Sequence, residues 1–174
     1  MIVIEANILL FIQEYLRIPL LDSVFKGITA LGNAGFIWIL CTVLLLCFKK
    51  TRTVGWMCAV ALLASLVINN LILKNLIARI RPYEVIEGLK ILIDAPHDFS
   101  FPSGHTASSF ATATVLYMTL PKKFGIPALI LAVLISISRL YLGVHYPTDV
   151  LGGLLSGVAI AFTTVYIFKK KRLV

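Results

Sequence analysis

The chain has 174 residues, 59% of them hydrophobic and 14% charged, with a mean hydropathy of +0.96. That is too apolar for an ordinary soluble domain, and the length is that of a single domain, residues 1–174. The net charge of +8 does not read as a nucleic-acid footprint, because the cations sit in short clusters between apolar runs.

In residues 1–20, Glu5, Gln13, Glu14 and Arg17 interrupt an apolar surface of Ile4, Ile8, Leu9, Phe11, Ile12, Leu16 and Ile18. This segment is predicted to lie as an amphipathic helix in the membrane interface, with a short or tilted sixth span as the alternative. It lacks a basic n-region and a small-residue cleavage site, so no removed signal peptide is expected. Stretches at about 24–48, 54–76, 124–143 and 148–168 each supply the roughly 20 apolar residues that a spanning helix needs. A fifth, at about 104–120, is richer in Ser and Thr but long enough. The expected fold is therefore all-α, a polytopic transmembrane bundle of about five spans plus the N-terminal helix.

Local breakers refine this picture. Gly32-Asn33-Ala34-Gly35 is predicted to break or kink the first span. Pro82 is predicted to end or kink the second just after Arg81. Residues 83–101 form the longest connection and carry Glu84, Glu87, Asp94, His97 and Asp98; they either cap a site or solvate the surface. Gly125 and Pro127 open the fourth span, and Tyr146-Pro147 leads into the fifth. There Asp149, Gly153 and Gly157 share one face, which small residues would let pack closely inside the bundle. Cys41, Cys47 and Cys58 fall in predicted spans without metal-ligand spacing and read as small hydrophobes.

Charge sets the topology. Lys49, Lys50 and Arg52, then Lys122 and Lys123, then Lys169, Lys170, Lys171 and Arg172 fall on one side if five helices span. The positive-inside rule makes that side, with the C-terminus, cytoplasmic. All eight acidic residues then lie on the opposite side or at its membrane edge.

Three blocks reach that opposite, extracytoplasmic face. In the first, Lys74 and Arg81 are spaced to share one helical face, with Asn70 a turn below; the pair reads as an inward anion clamp, and Arg79, off that stripe, as a headgroup or surface contact. In the second, Ser103 is a candidate helix N-cap, and Gly104 lets an anion approach the amides that follow. His105, Ser108, Ser109 and Thr112 continue as a polar face. In the third, Ser138-Arg139 precedes His145 and Asp149. A carboxylate beside an imidazole fixes its tautomer and leaves the other nitrogen free to attack. The Arg139 guanidinium suits phosphate oxygens, and His97 has no comparable context. One acid against three cations does not suit a two-metal phosphatase, so neither metal nor cofactor is expected.

Lys74-x6-Arg81-Pro82, Pro102-Ser103-Gly104-His105 and Ser138-Arg139-x5-His145-x3-Asp149 together resemble the type 2 phosphatidic acid phosphatase superfamily, which includes lipid phosphatases and vanadium haloperoxidases. Many members have six spans, and here an interfacial helix is expected to stand in for the first. The resemblance implies that His145 attacks phosphorus to form a phosphohistidine, that Asp149 supports it and that His105 protonates the departing oxygen. Lys74, Arg81, Ser103, the Gly104 amide and Arg139 would hold the phosphoryl oxygens. It implies a metal-independent plasma-membrane hydrolase like compact bacterial enzymes, acting on a lipid phosphate or prenyl diphosphate, first undecaprenyl diphosphate. Phosphatidylglycerophosphate or phosphatidate is the alternative. A lipid-linked phosphotransferase and a non-enzymatic lipid-binding protein stay open, as does the oligomeric state.

Overall fold

The apolar runs fold as helices in a computed structural model that describes residues 2–171; Arg172, the last of the basic cluster, lies outside the described residues. α1 spans Ile2–Phe11 and continues in wider turns over Ile12–Leu16. α2 (Pro19–Gly32) and α3 (Phe36–Cys47) form one kinked rod, with a tight turn at Asn33–Gly35 between them. α4 (Arg52–Ser65) widens into π-helical turns over Leu66–Leu73 and ends as α5 (Lys74–Ile77). The short α6 (Pro82–Val85) precedes the long loop. Three helices complete the bundle: α7 (Gly104–Thr119), α8 (Lys122–Tyr141) and α9 (Pro147–Lys170).

Four segments are long and apolar enough to cross a bilayer: Pro19–Cys47, Arg52–Val85, Lys122–Tyr141 and Pro147–Lys170. The 16-residue α7, about 24 Å long at 1.5 Å per residue, runs between them and packs on α9, α8 and α4. Its polar side chains are tolerable there because they bond within the bundle. Ser108 Oγ donates to the Gly104 carbonyl (2.9 Å), Thr112 Oγ1 to Ser108 (3.1 Å) and Thr119 Oγ1 to Val115 (2.7 Å). The Trp38 indole donates to Ser109 Oγ at 2.8 Å, and the apolar core of Trp38, Met57, Cys58, Ala61, Ala111 and Ile135 surrounds these contacts.

The glycine face of α9 meets α7 as expected. A Cβ on Gly153 would stand 2.6 Å from the Ser103 carbonyl oxygen, and one on Gly157 2.5 Å from that of Ala107. This close approach also lets the Ser103 amide donate to the Asp149 carbonyl at 3.0 Å. The two motif-bearing helix starts are thus tied directly to each other.

Several expectations change. The kink falls where expected, with Ala34 and Gly35 at φ 50° and 72°, but α2 already begins at Pro19. The second span ends at Ile77, not after Arg81, with Ala78 in the left-handed region. Arg81 precedes a proline, which disfavours the helical conformation, and it is extended at ψ 152°. Pro82 therefore opens a new helical turn instead of closing the old one, and Lys74 and Arg81 do not share a helical face. Of the three cysteines only Cys58 is buried; Cys41 is partly buried and Cys47 exposed.

α1 lies across the end of the bundle where α7 and α9 begin. Leu9 packs with Leu89 and Tyr146, while Arg17 donates to the carbonyls of Tyr141 (2.8 Å) and Lys90 (2.6 Å). Its other face exposes Val3, Ile4, Ile8, Phe11 and Tyr15.

Adding a methyl group to the α7–α9 contact is expected to cost about 1–3 kcal/mol through overpacking. Gly153→Ala should therefore lower the melting temperature in detergent. Gly27→Ala, where a Cβ meets nothing within 4 Å, should leave it unchanged or raise it.

Candidate active site

At the end of the bundle covered by α1, a cavity of about 1020 Å³ is lined by Lys74, Arg81, Gly104, His105, Arg139 and His145, among others. Four segments bring these residues together. The π-helical turns before α5 place Asn70 and Lys74 on the wall, and π turns recur at functional sites for this reason. The non-helical Ala78–Arg81 segment then turns the Arg81 guanidinium back inward, where Nη1 donates to the Val144 carbonyl at 2.7 Å. Both cations are buried, at 5% and 2% exposure.

His145 lies on the turn between α8 and α9, and Asp149 in the first turn of α9. Asp149 Oδ2 accepts the Tyr146 amide (2.8 Å) and Ser100 Oγ (2.5 Å), and lies 3.4 Å from His145 Nδ1. With Nδ1 protonated towards Asp149, Nε2 keeps its lone pair, 3.4 Å from Arg81 Nη1. Burial pushes the His145 pKa down; the Asp149 hydrogen bond opposes this, and the Arg139 and Arg81 charges add to it. The imidazole is therefore neutral at physiological pH and fit to be a nucleophile.

His105 occupies the first turn of α7, with Nε2 3.0 Å from Asn33 Oδ1. The left-handed backbone beyond Asn33 carries this amide to the cavity wall. Gly32 must be small here, because a Cβ would come within 2.7 Å of the His105 ring. Arg139, 3% exposed, donates from Nη1 to Thr29 Oγ1 at 2.8 Å, and its buried Nε has no protein partner. Ser103 caps α7, accepting from Thr106 Oγ1 (3.1 Å), but is fully buried behind the cavity wall. A Cβ on Gly104 would meet Asn70 Oδ1 at 2.9 Å, so the neighbouring amide also demands a glycine there.

The long loop covers the site. Asp98 bridges the two clamp cations: one carboxylate oxygen pairs with Lys74 Nζ, and the other lies 2.5 Å from Arg81 Nη2. The Asp98 side chain is nevertheless half-exposed. Burial alone would raise its pKa, but the hydrogen bonds and charges of Lys74 and Arg81 outweigh that and hold it down at about 2. A second cavity of about 630 Å³, lined by Tyr83, His97 and Phe99, adjoins the same Asp98, Lys74 and Arg81.

Sequence reasoning missed four residues. Asn33 was read only as part of a kink, Asp98 only as loop charge, and Ser100 carried no signal. Arg79 is the largest departure: far from being a headgroup contact, it donates to Asp149 Oδ1 (2.7 Å) and Glu5 Oε2 (2.7 Å). The helix ends at Ile77 and Ala78 turns left-handed, which takes Arg79 off the helical wheel; Pro82 a few residues on was the sequence's sign of a break nearby. Among the described residues no three His, Cys, Asp or Glu side chains gather as a metal-binding group.

Residues 53–173 match the PAP2 superfamily. The chain is 36% identical over 165 residues to an undecaprenyl-diphosphatase of Sulfolobus acidocaldarius, covering 94% of this chain and 79% of the relative. It superposes on the crystal structure of Aquifex aeolicus LpxE with a TM-score of 0.82 and 30% identity, covering 92% and 93% of the two chains. The Bacillus subtilis transmembrane PAP2-type phosphatidylglycerolphosphate phosphatase gives a TM-score of 0.79 at 31% identity, covering 95% and 85%. The chain belongs to the PAP2 superfamily, and its fold is that of the transmembrane PAP2-type phosphatase it superposes on.

Proposed function

We propose that the chain is a membrane phosphatase that hydrolyses a prenyl diphosphate such as undecaprenyl diphosphate to the monophosphate and inorganic phosphate. One observation carries this reading: a histidine backed by a carboxylate and a second histidine line one cavity with three buried cations. The relative from Sulfolobus acidocaldarius supports the diphosphate. The likeness to the Bacillus subtilis enzyme supports phosphatidylglycerophosphate as the second reading.

His145 Nε2 attacks the terminal phosphorus as the bond to the bridging oxygen breaks, and His105 gives that oxygen its proton. Water, losing a proton to His105, then attacks the phosphohistidine and releases phosphate. Splitting the displacement in two lowers each barrier. Lys74, Arg81, Arg139 and the Gly104 amide meet the charge on the phosphoryl oxygens as it redistributes. Ser103 fixes the turn that aims those amides.

The basic clusters after α3, at the start of α8 and at the end of α9 belong to the helix ends opposite those that carry the cavity residues. By the positive-inside rule those ends are cytoplasmic and the site extracytoplasmic. α1 then rests in the interface with its exposed apolar side chains in lipid. Loop 83–101 stands outside the membrane over the site, and the lipid tail stays in the bilayer.

In this reading Asp98 holds the place of the substrate's phosphoryl group. Its depressed pKa keeps the pair with Lys74 and Arg81 at any pH above the ordinary 3.8, and the pair is lost only as pH falls towards about 2. At assay pH a competing anion or a substitution must free the clamp. Asp98→Ala is expected to bind orthovanadate about tenfold more tightly, a gain of about 1.4 kcal/mol. Weaker binding would make Asp98 a permanent support.

Phosphate release by purified protein should be fastest on the prenyl diphosphate in a panel with phosphatidylglycerophosphate and phosphatidate. His145→Ala is expected to lose at least about a thousandfold in kcat while keeping its melting temperature, and retained turnover would remove it as nucleophile. His105→Ala should cost more on phosphatidate, whose alkoxide leaves poorly, than on the diphosphate. Equal losses would deny it the acid role. Turnover should survive a chelator.

A further inference from the structure

Behind the His145–Asp149 pair lies a line of charges that the reaction just described does not use. Arg79 Nη1 donates to Asp149 Oδ1 at 2.7 Å and to Thr148 Oγ1 at 2.6 Å, and Nη2 donates to Glu5 Oε2 at 2.7 Å. Its guanidinium lies 3.8 Å above the Tyr146 ring, and its backbone carbonyl accepts the Ser100 amide at 2.8 Å. Glu5 is 4% exposed, and its other oxygen accepts the Thr148 amide (3.0 Å) and hydroxyl (2.6 Å). An amphipathic helix resting on a membrane has no need to turn an acid inward. Glu5 is turned inward where it meets the Arg79 guanidinium with one oxygen and the first turn of α9 with the other.

We propose that Arg79 and Glu5 are positioning residues for the nucleophile: Arg79 holds the Asp149 carboxylate with one oxygen towards His145, and Glu5 cancels the charge that Arg79 brings. The physics follows from the order of signs. Asp149 carries four donors on two oxygens, and Arg79 claims the oxygen that His145 does not face, so the rotamer is set from behind. An unbalanced guanidinium there would offset the negative charge that supports the imidazolium and the cationic phosphohistidine. With Glu5 present the row Glu5, Arg79, Asp149 sums to one negative charge, delivered at the end that touches His145. The other charged or titratable groups lining the cavity with His145 are Arg81 before α6, Arg139 on α8, His105 on α7, Lys74 on α5 paired with Asp98 of the loop, Asp94 of the loop and Lys26 on α2. Bound phosphate offsets the two arginines in the working complex. The N-terminal helix thus contributes to the chemistry from the far side of the pair.

This inference rests on the phosphohistidine reading, and removing charges of opposite sign separates it from a bland structural role. The test measures kcat against pH on a long-chain prenyl diphosphate in detergent. The acid limb of kcat reports protonation of the nucleophile in the complex. Glu5→Gln removes a negative charge from the row, so the limb is expected to move to lower pH by about half a unit. Arg79→Gln removes a positive charge, and the limb should move up by a similar amount. Both should lose about tenfold in kcat with KM within about twofold. Arg79→Lys, which keeps the charge, should hold the limb in place and restore part of the rate. Limbs that stay fixed, or move the same way in both variants, would overturn the proposal, as would rate losses that only track a falling melting temperature. His145→Ala run alongside separates this outcome from failure of the phosphatase reading. The protonation midpoint of 15N-labelled His145, followed by NMR in the resting protein, should show the same opposite shifts without any turnover.

Discussion

Lys74, Arg81 and Arg139 are buried together at one end of an apolar bundle, and a buried cation survives only where anions or carbonyls meet it. Most of the site can be derived from that constraint. Arg81 takes the Val144 and Asp98 carbonyls together with the Asp98 carboxylate, and Lys74 takes Asp98. Arg139 is left with one threonine and a buried Nε lacking a protein partner. The cluster holds more positive charge than the resting protein neutralises. In the proposed function a phosphoryl group completes it, so the residues that make the fold costly are the ones assigned to hold the substrate.

The packing that keeps these charges in place is apolar and close. α7 runs through the centre against the glycine face of α9, and that contact holds the N-termini of both helices side by side. One start presents the Gly104 and His105 turn, the other Asp149 with His145 just ahead of it. Hydrocarbon packing over the length of the bundle thus fixes polar geometry at its end. Rigid helix termini hold a reacting group better than loops do. The long loop supplies buried Ser100 to Asp149 and the half-exposed Asp98, which in the proposed function yields to substrate.

Features governed by local chemistry were legible in the sequence. Hydropathy located the spanning segments, and Gly32 to Gly35 marked the kink that delivers Asn33. Gly153 and Gly157 marked the buried face of α9. Lys74, Arg81, Gly104, His105, Arg139 and His145 do line one cavity, with Asp149 directly behind His145. What failed was the assumption that helical spacing continues to Arg81. The helix ends at Ile77 with Ala78 left-handed, so Arg79 points to Asp149 instead of lipid. Glu5, Asp98 and Ser100 were beyond reach for another reason: each acts through a contact with a distant segment, and no local pattern records its partner.

The account stands or falls on a covalent bond between phosphorus and His145. Rapid quenching of turnover on a prenyl diphosphate labelled in its terminal phosphate tests it most directly. Label should appear on His145 before free phosphate accumulates, survive alkali and be lost in acid, and be absent from His145→Ala. Steady release of phosphate with no label on the protein, or with label on another residue, would contradict it.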